Sequence, residues 1–177
     1  MRLETSRLTL RPLELDDGVF ILELVNEPDW HRYIGDRGIR TLEQAQTYVR
    51  EGPMRMLERF GIGLLAVELT ATRERIGICG LIQRDTLPDI DLGFAFLQRF
   101  TRQGYAREAA AATVTYAFDV GRVKRLVAVT VPDNDRSIGL LAKLGFRYER
   151  DIQLRPDSAV IQLWAYGTTS TGIPIAT

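Results

Sequence analysis

Between residues 7 and 13 apolar and polar side chains alternate, and the alternation ends at Leu15-Asp16-Asp17, where acids mark a helix start. A strand from Arg7 to Leu13 leading into a helix near Gly18 to Val25 is therefore predicted. Pro28 to Tyr33 and Thr41 to Leu57 carry further helical patterning, broken at Gly35, Gly38 and Gly52-Pro53. Three strand-like runs follow, Ile62 to Glu68, Arg75 to Gln83 and Ile90 to Leu97, joined by the polar turns Thr70 to Glu74 and Asp85 to Asp89. Turns this short join antiparallel neighbours, which predicts a meander. A helical run then opens at Gly104 and lasts to Gly121, and valine-rich Arg125 to Val131 follows as a strand. Strand, helix and strand at this length predict a right-handed parallel crossover. Asn134 to Leu144 is a second amphipathic helix, with Ile138, Leu141 and Leu144 or Gly145 on one face. Phe146 to Leu154 and Ala159 to Tyr166 close the pattern as a hairpin about Pro156-Asp157-Ser158. The fold class is α/β, mixed α+β, with a central mixed sheet of about six to seven strands flanked by helices.

Composition narrows the class. A chain of 177 residues, 45% apolar and 26% charged, is long enough for one well-buried domain and short for two. One domain over residues 1–167 is expected, with the small, polar residues 168–177 as a loosely held, flexible tail. Lys plus Arg and Asp plus Glu number 23 each, so no global field favours nucleic acid or an anionic membrane, and any anion site must be local. One cysteine, Cys79, and one histidine, His31, make neither a disulfide framework nor a Cys/His metal cluster, and no metal is expected. The start, Met1-Arg2-Leu3-Glu4, lacks a signal-peptide apolar stretch, and the longest apolar run, near Ile62 to Val67, is far below spanning length. A soluble cytoplasmic protein is expected.

The chemistry concentrates between Phe96 and Phe146. Thr101-Arg102-Gln103-Gly104-Tyr105-Ala106-Arg107-Glu108 joins the predicted strand 90–97 to the long helix, so unpaired backbone N–H groups and the positive end of a helix dipole face one point. That is a site for phosphate. Gly104 lets the backbone approach a bulky anion, small Ala106 keeps the next turn open, and Arg99, Arg102 and Arg107 add positive charge. Downstream, Asn134-Asp135-Arg136-Ser137 runs into Lys143-Leu144-Gly145-Phe146.

This order of elements resembles the GNAT superfamily of acetyl-coenzyme A dependent N-acetyltransferases, whose phosphate loop reads Gln/Arg-x-x-Gly-x-Gly/Ala. Gly104 and Ala106 match; Thr101 departs from the first position. Asn134-x-x-Ser137 and Lys143-Leu144-Gly145-Phe146 stand where that family places its second cofactor-contacting helix and the strand after it. Thr5-Ser6-Arg7-Leu8-Thr9-Leu10-Arg11-Pro12 resembles the start of the branch that includes ribosomal-protein N-terminal acetyltransferases, so the resemblance covers nearly the whole chain. It implies a splayed sheet and acetyl-coenzyme A as cosubstrate. The pantetheine would lie along the strand edge at Phe96 and Leu97, with Arg99, Arg102, Gln103, Gly104, Tyr105, Ala106, Arg107, Asn134, Ser137 and Lys143 as the other cofactor contacts. Core packing competes as the role of the Phe94, Phe96 and Phe100 side chains.

Direct acyl transfer needs a neutral amine, a polarised carbonyl and a stabilised leaving thiolate. Freeing the lone pair of an α-amine with pKa near 8 costs about 1 kcal/mol at neutral pH, against about 4 to 5 kcal/mol for lysine, so a weak or water-relayed base suffices for an N-terminal amine. Many members of the family place a thiolate-protonating tyrosine two residues before the lysine of the Lys-Leu-Gly-Phe segment; here that position is Leu141. Ser137, one turn earlier, is then the hydroxyl assigned to the sulfur, with an ordinary helix-start serine as the competing role. Asn134 caps the helix, contacts the coenzyme, or does both. Asp91, in Asp91-Leu92-Gly93-Phe94, occupies the place of a family general-base glutamate; a solvated acid on the Asp89, Asp91, Gly93 face is the other reading. Trp30, His31 and Tyr33 lie in the region resembling the acceptor-facing helix pair, where core packing competes. Cys79 falls on a buried strand without a basic partner, which argues against an acyl-cysteine. The leading function is acetyl transfer to a small-molecule or peptide amine by direct attack in a ternary complex, in a monomer or homodimer. The alternative is a non-catalytic coenzyme-binding sensor or interaction module, motivated by Leu141 and Thr101.

Overall fold

Apolar residues at alternate positions build one eight-stranded sheet whose two faces are covered by helices of different character. The computed structural model describes residues 1–120 and 123–167; the expected tail, residues 168–177, and Gly121 lie outside them. In chain order the elements are β1 (Leu3–Glu4), β2 (Leu8–Pro12), α1 (Gly18–Val25), α2 (Pro28–Tyr33), α3 (Leu42–Val49), α4 (Arg55–Phe60), β3 (Leu64–Leu69), β4 (Arg75–Ile82), β5 (Ile90–Phe96), α5 (Tyr105–Asp119), β6 (Arg125–Thr130), α6 (Asp135–Lys143), β7 (Arg147–Ile152) and β8 (Ile161–Gly167). The strand order is β1-β2-β3-β4-β5-β6-β8-β7. All pairs are antiparallel except β5 with β6, the predicted crossover. Seven strands are those the alternation predicts; the eighth, β1, has two residues, too few to show a period.

One face packs on α5. Its inward positions, Ala109, Ala110, Thr113, Val114 and Ala117, recur at helical spacing, and four of the five are Ala or Val. Small side chains let the helix lie close over Leu65, Cys79, Leu81 and Leu92. The other face is covered by α1 to α3, through Phe20, Ile21, Leu24, Trp30 and Val49 against Ala66, Ile78 and Leu97. The predicted break at Gly52-Pro53 is instead a widened helical turn over residues 50–54 that carries α3 on into α4. Proline lacks the N–H an ordinary turn would use, and a wider turn accommodates that loss.

Beneath α1 lies a buried ion-pair network. Arg11 donates to Glu68 (2.9 Å) and to both oxygens of Asp17 (2.8 Å each), and Arg75 reaches the same Asp17 carboxylate at 2.5 Å. Asp17 also accepts from the Glu14 N–H, closing the turn ahead of α1. Burial pushes the Asp17 pKa up, but the bonds from Arg11, Glu14 and Arg75 outweigh it and hold the carboxyl below its usual range.

The register between β5 and β6 positions the site. Pairing covers only Ile90 with Leu126 and Asp91 with Val127, after which the two central strands part. Gly93 to Phe96, in mid-sheet, are accordingly only half-buried.

Candidate active site

The parted strands leave β5 with one free edge. Leu97 N–H donates to Ile76 C=O at 3.0 Å on the β4 side, so by strand alternation Phe96 and Phe94 turn their backbone groups toward the gap. Leu97 itself is fully engaged, since its C=O accepts from Phe100 and its side chain is buried.

At the mouth of the gap the chain turns into α5. Arg102 (φ 61°) and Gly104 (φ 83°) both take left-handed backbone, and Glu108 N–H makes the first helical bond, to Gly104 C=O at 3.0 Å. The amides of Gly104, Tyr105, Ala106 and Arg107 precede that bond and have no helical partner. Arg102 and Arg107 are exposed and make no ion pair among the described residues. Gln103 Nε2 donates to Arg99 C=O at 3.0 Å, and Thr101 Oγ1 to Gln98 C=O at 2.8 Å, so Thr101 closes the short turn before the loop. Arg99 points elsewhere: its guanidinium pairs with Glu23 on α1 at 2.5 Å.

Sequence reasoning missed two residues of this loop, Arg7 and Glu108. Glu108 accepts from Thr5 Oγ1 (2.6 Å), Ser6 Oγ (3.1 Å), Arg7 N–H (2.9 Å) and Arg7 Nε (2.7 Å). Arg7 also donates from Nη1 to Gln103 C=O (3.1 Å) and lies 4.5 Å from the centre of the Tyr105 ring. A Cβ added to Gly104 would sit 3.3 Å from Arg7 Nη2. The turn before β2 thus braces the loop and brings a third cation to it. The signal, an acid one turn into α5 with an arginine about 100 positions earlier, has no local period.

The second half of the site follows β6. Asn134 caps α6, its side-chain oxygen accepting from Ser137 N–H at 3.1 Å. Ser137 Oγ is half-buried and has no hydrogen bond among the described residues. Leu141 is wholly buried in the α5-side core, so the departure from tyrosine is filled by apolar packing. Lys143 is exposed at the opposite end of α6, about 9 Å along the axis from Ser137.

Asp91 sits where β5 and β6 begin to part. It is 1% exposed, which sets aside the solvated-acid reading. Arg84 Nε donates to Oδ2 at 2.6 Å, while Oδ1 has no hydrogen bond. Burial pushes this carboxyl up to about 6, against the opposing effect of Arg84 and the nearby Val129 amide. Cys79 is buried with its thiol pushed up to about 12 by desolvation, an inert group.

Helix α2 is fastened beside α6. Arg136 on α6 pairs with Asp29 (2.6 Å), and Arg32 with Asp133 (3.0 Å). Trp30 is a core residue, 4% exposed, with Nε1 unpartnered. His31 Nε2 is buried without a hydrogen bond and lies 3.9 Å from Asp36. Tyr33 stacks under Arg32, 5.0 Å from its guanidinium carbon. The structure therefore brings α2 to the N-terminal end of α6, where Ser137 stands.

A sequence profile of the acetyltransferase (GNAT) domain matches residues 7–147, most of the chain. The chain belongs to the GNAT acetyltransferases. The curated relative YoaA of Bacillus subtilis, an uncharacterised N-acetyltransferase, is 31% identical over 150 residues, 83% of each chain. The solved acetyltransferase of Agrobacterium tumefaciens superposes with a TM-score of 0.80 at 26% identity over 95% of each chain. RimL, a ribosomal L7/L12 alpha-N-protein acetyltransferase, shares the fold: its apo form superposes with a TM-score of 0.79 at 16% identity, over 94% of this chain and 93% of RimL. Its coenzyme A complex superposes at 0.71 and 14%, over 94% and 97%. This GNAT protein is an acetyltransferase, of a family whose acyl donor is acetyl-coenzyme A. Among its described residues no helix is long and apolar enough to cross a membrane.

Proposed function

We propose that the protein transfers acetyl from acetyl-coenzyme A to the N-terminal α-amine of a peptide or protein. The observation that carries this is the gap between β5 and β6, with the cationic loop 101–107 at its mouth, Asp91 at its closed end and Ser137 just past the end of β6. An extended pantetheine fits such an edge, because Phe94 and Phe96 offer backbone groups that no strand takes up. The free amides of Gly104 to Arg107, with Arg102, Arg107 and Arg7, suit the pyrophosphate. The thioester supplies the activated acyl carbon and a thiolate leaving group.

Asp91 is assigned the proton of the attacking amine, relayed by water because the carboxylate is deeply set. A base near 6 facing an α-amine near 8 leaves proton transfer uphill by about 3 kcal/mol, a small part of an acyl-transfer barrier. As the nitrogen bonds to the acyl carbon and the C–S bond breaks, Ser137 donates its hydroxyl hydrogen bond to the sulfur. Asp91 returns the amine proton to water and the thiolate takes one from water beside Ser137, so the products are the acetylated amine and free thiol. The α-N-protein acetyltransferase named above supports the choice of acceptor by fold alone.

The test is thiol release from acetyl-coenzyme A with peptides whose amines are blocked selectively, the product located by mass spectrometry. Acetyl on the α-amine alone is expected. Acetyl on lysine side chains would overturn the acceptor assignment, and failure to bind coenzyme A would overturn the whole reading.

A further inference from the structure

Beside Asp91 the fold gathers arginines that are far apart in the chain. A surface concavity of about 340 Å³ is lined by Arg84, Asp85 and Thr86 from the β4–β5 turn and by Leu154, Arg155 and Ser158 from the β7–β8 turn. Arg84 is also the residue that holds Asp91. Tyr48 of α3 feels the charges of both Arg84 and Arg37. The Arg37 guanidinium carbon lies 5.9 Å from the Tyr48 ring centre. Arg84 and Arg155 therefore share the concavity beside Asp91, and Arg37 lies across Tyr48 within electrostatic reach of the same ring.

The acids nearby leave Arg37 and Arg155 without an ion pair among the described residues. Asp36 is held by Arg40 and by Gly38 N–H. Asp157, in the same turn as Arg155, makes no ion pair with it, and neither Arg37 nor Arg155 has an acid partner among the described residues. Asp85 is the one acid lining the concavity, and Asp91 lies buried behind Arg84. Asp85, Asp91 and Asp157 equal these arginines in number, but among the described residues only Arg84 is taken up by one of them, Asp91. Guanidinium forks are matched to carboxylates, and two without an acid partner, Arg37 and Arg155, near a third that holds Asp91 favour a substrate that brings the anion.

We propose that the acceptor of this enzyme is an amine carrying a carboxylate close by, held by Arg37, Arg84 and Arg155 with its nitrogen turned to Asp91. The inference rests on the acetyltransferase reading above and adds the acceptor's charge. Two sources share this chemistry: a peptide with Asp or Glu just after its N-terminal residue, and a free amino acid.

The experiment measures fluorescence anisotropy of C-terminally labelled peptides Ser-Glu-Glu, Ser-Gln-Gln and Ser-Lys-Lys, each extended by the same neutral tail, on the intact protein with and without coenzyme A. Unlabelled glutamate and glutamine serve as competitors. Arg37→Gln, Arg155→Gln and the double variant change exposed side chains away from both cores, and Arg2→Gln is the control for charge alone. The acidic peptide is expected to bind about tenfold tighter than the neutral one at low salt, the preference shrinking as salt rises. The double variant should erase it while Arg2→Gln keeps it. Displacement by glutamate would assign the free amino acid, and its absence the peptide. Equal affinities, a preference that survives the double variant, or no binding of any arm would overturn the inference. Coenzyme binding is read separately, so failure of the acetyltransferase reading is distinguishable.

Discussion

The roles proposed for Asp91 and Ser137 make opposite demands on their surroundings, and each residue has an environment suited to the proposed role. Burial raises Asp91 to about 6, so a base there is ionised and active only as pH rises through that value. The rate should climb through a limb near pH 6, and Asp91→Asn should remove the limb along with most of the rate. A pH–rate profile with saturating coenzyme checks both. The stability sign is the reverse: with its folded pKa above the unfolded 3.8, Asp91 favours folding below about pH 4 and loses that contribution as pH rises through about 6. Ser137 Oγ, without a hydrogen bond among the described residues, is available to sulfur. Ser137→Ala is expected to lower kcat by about tenfold to a hundredfold while calorimetry finds coenzyme binding nearly unchanged. An unaltered kcat would remove Ser137 from the chemistry.

At the scale of the element, the loop before α5 depends on backbone form and on a brace from the N-terminal turn. Gly104 at φ 83° is one of the few positions here where glycine is required, and any side chain would also meet Arg7. Gly104→Asp should abolish coenzyme binding by strain and like charge, as isothermal titration would detect. Burial pushes the Glu108 pKa up, but its bonds from Thr5, Ser6 and Arg7 win and hold it below the ordinary 4.5. The brace is therefore intact above that value and is lost as pH falls through the depressed pKa. Glu108→Gln should weaken coenzyme binding at neutral pH with little change in kcat, a split that distinguishes loop support from chemistry. Helix α6 shows the same economy: one asparagine caps the helix and sets Ser137 at its first turn.

Across the whole molecule, the Arg11, Asp17, Glu68 and Arg75 network ties β2, β3, β4 and the start of α1 into one body. Removing Arg11 leaves Asp17 to Arg75 and the Glu14 N–H, and leaves buried Glu68 only the longer pair with Arg73 at 3.4 Å. Arg11→Ala is expected to cost about 3 to 5 kcal/mol and to lower Tm by several degrees or more in calorimetry. The same change should leave coenzyme affinity in the folded fraction intact, since the network lies on the α1 side of the sheet and the loop on the other.

Local rules determined a great deal. Alternation and turn residues marked seven of the eight strands, the crossover helix and the α6 cap, because a strand or helix that buries one face must repeat with its own period. Gly104, Ala106 and Asn134 were legible because backbone form constrains residue type at single positions. What lies between segments was not. The parting of β5 and β6 was expected only through the family resemblance; the insertion of β8 between β6 and β7, the grip of Arg7 and Glu108 on the loop, and the burial of Asp91 beside Arg84 are contacts between residues whose separation in the chain obeys no period. The arginines are the clearest case: Arg84 and Arg155 lie about 70 positions apart in the chain, and only folding brings them to one concavity beside Asp91.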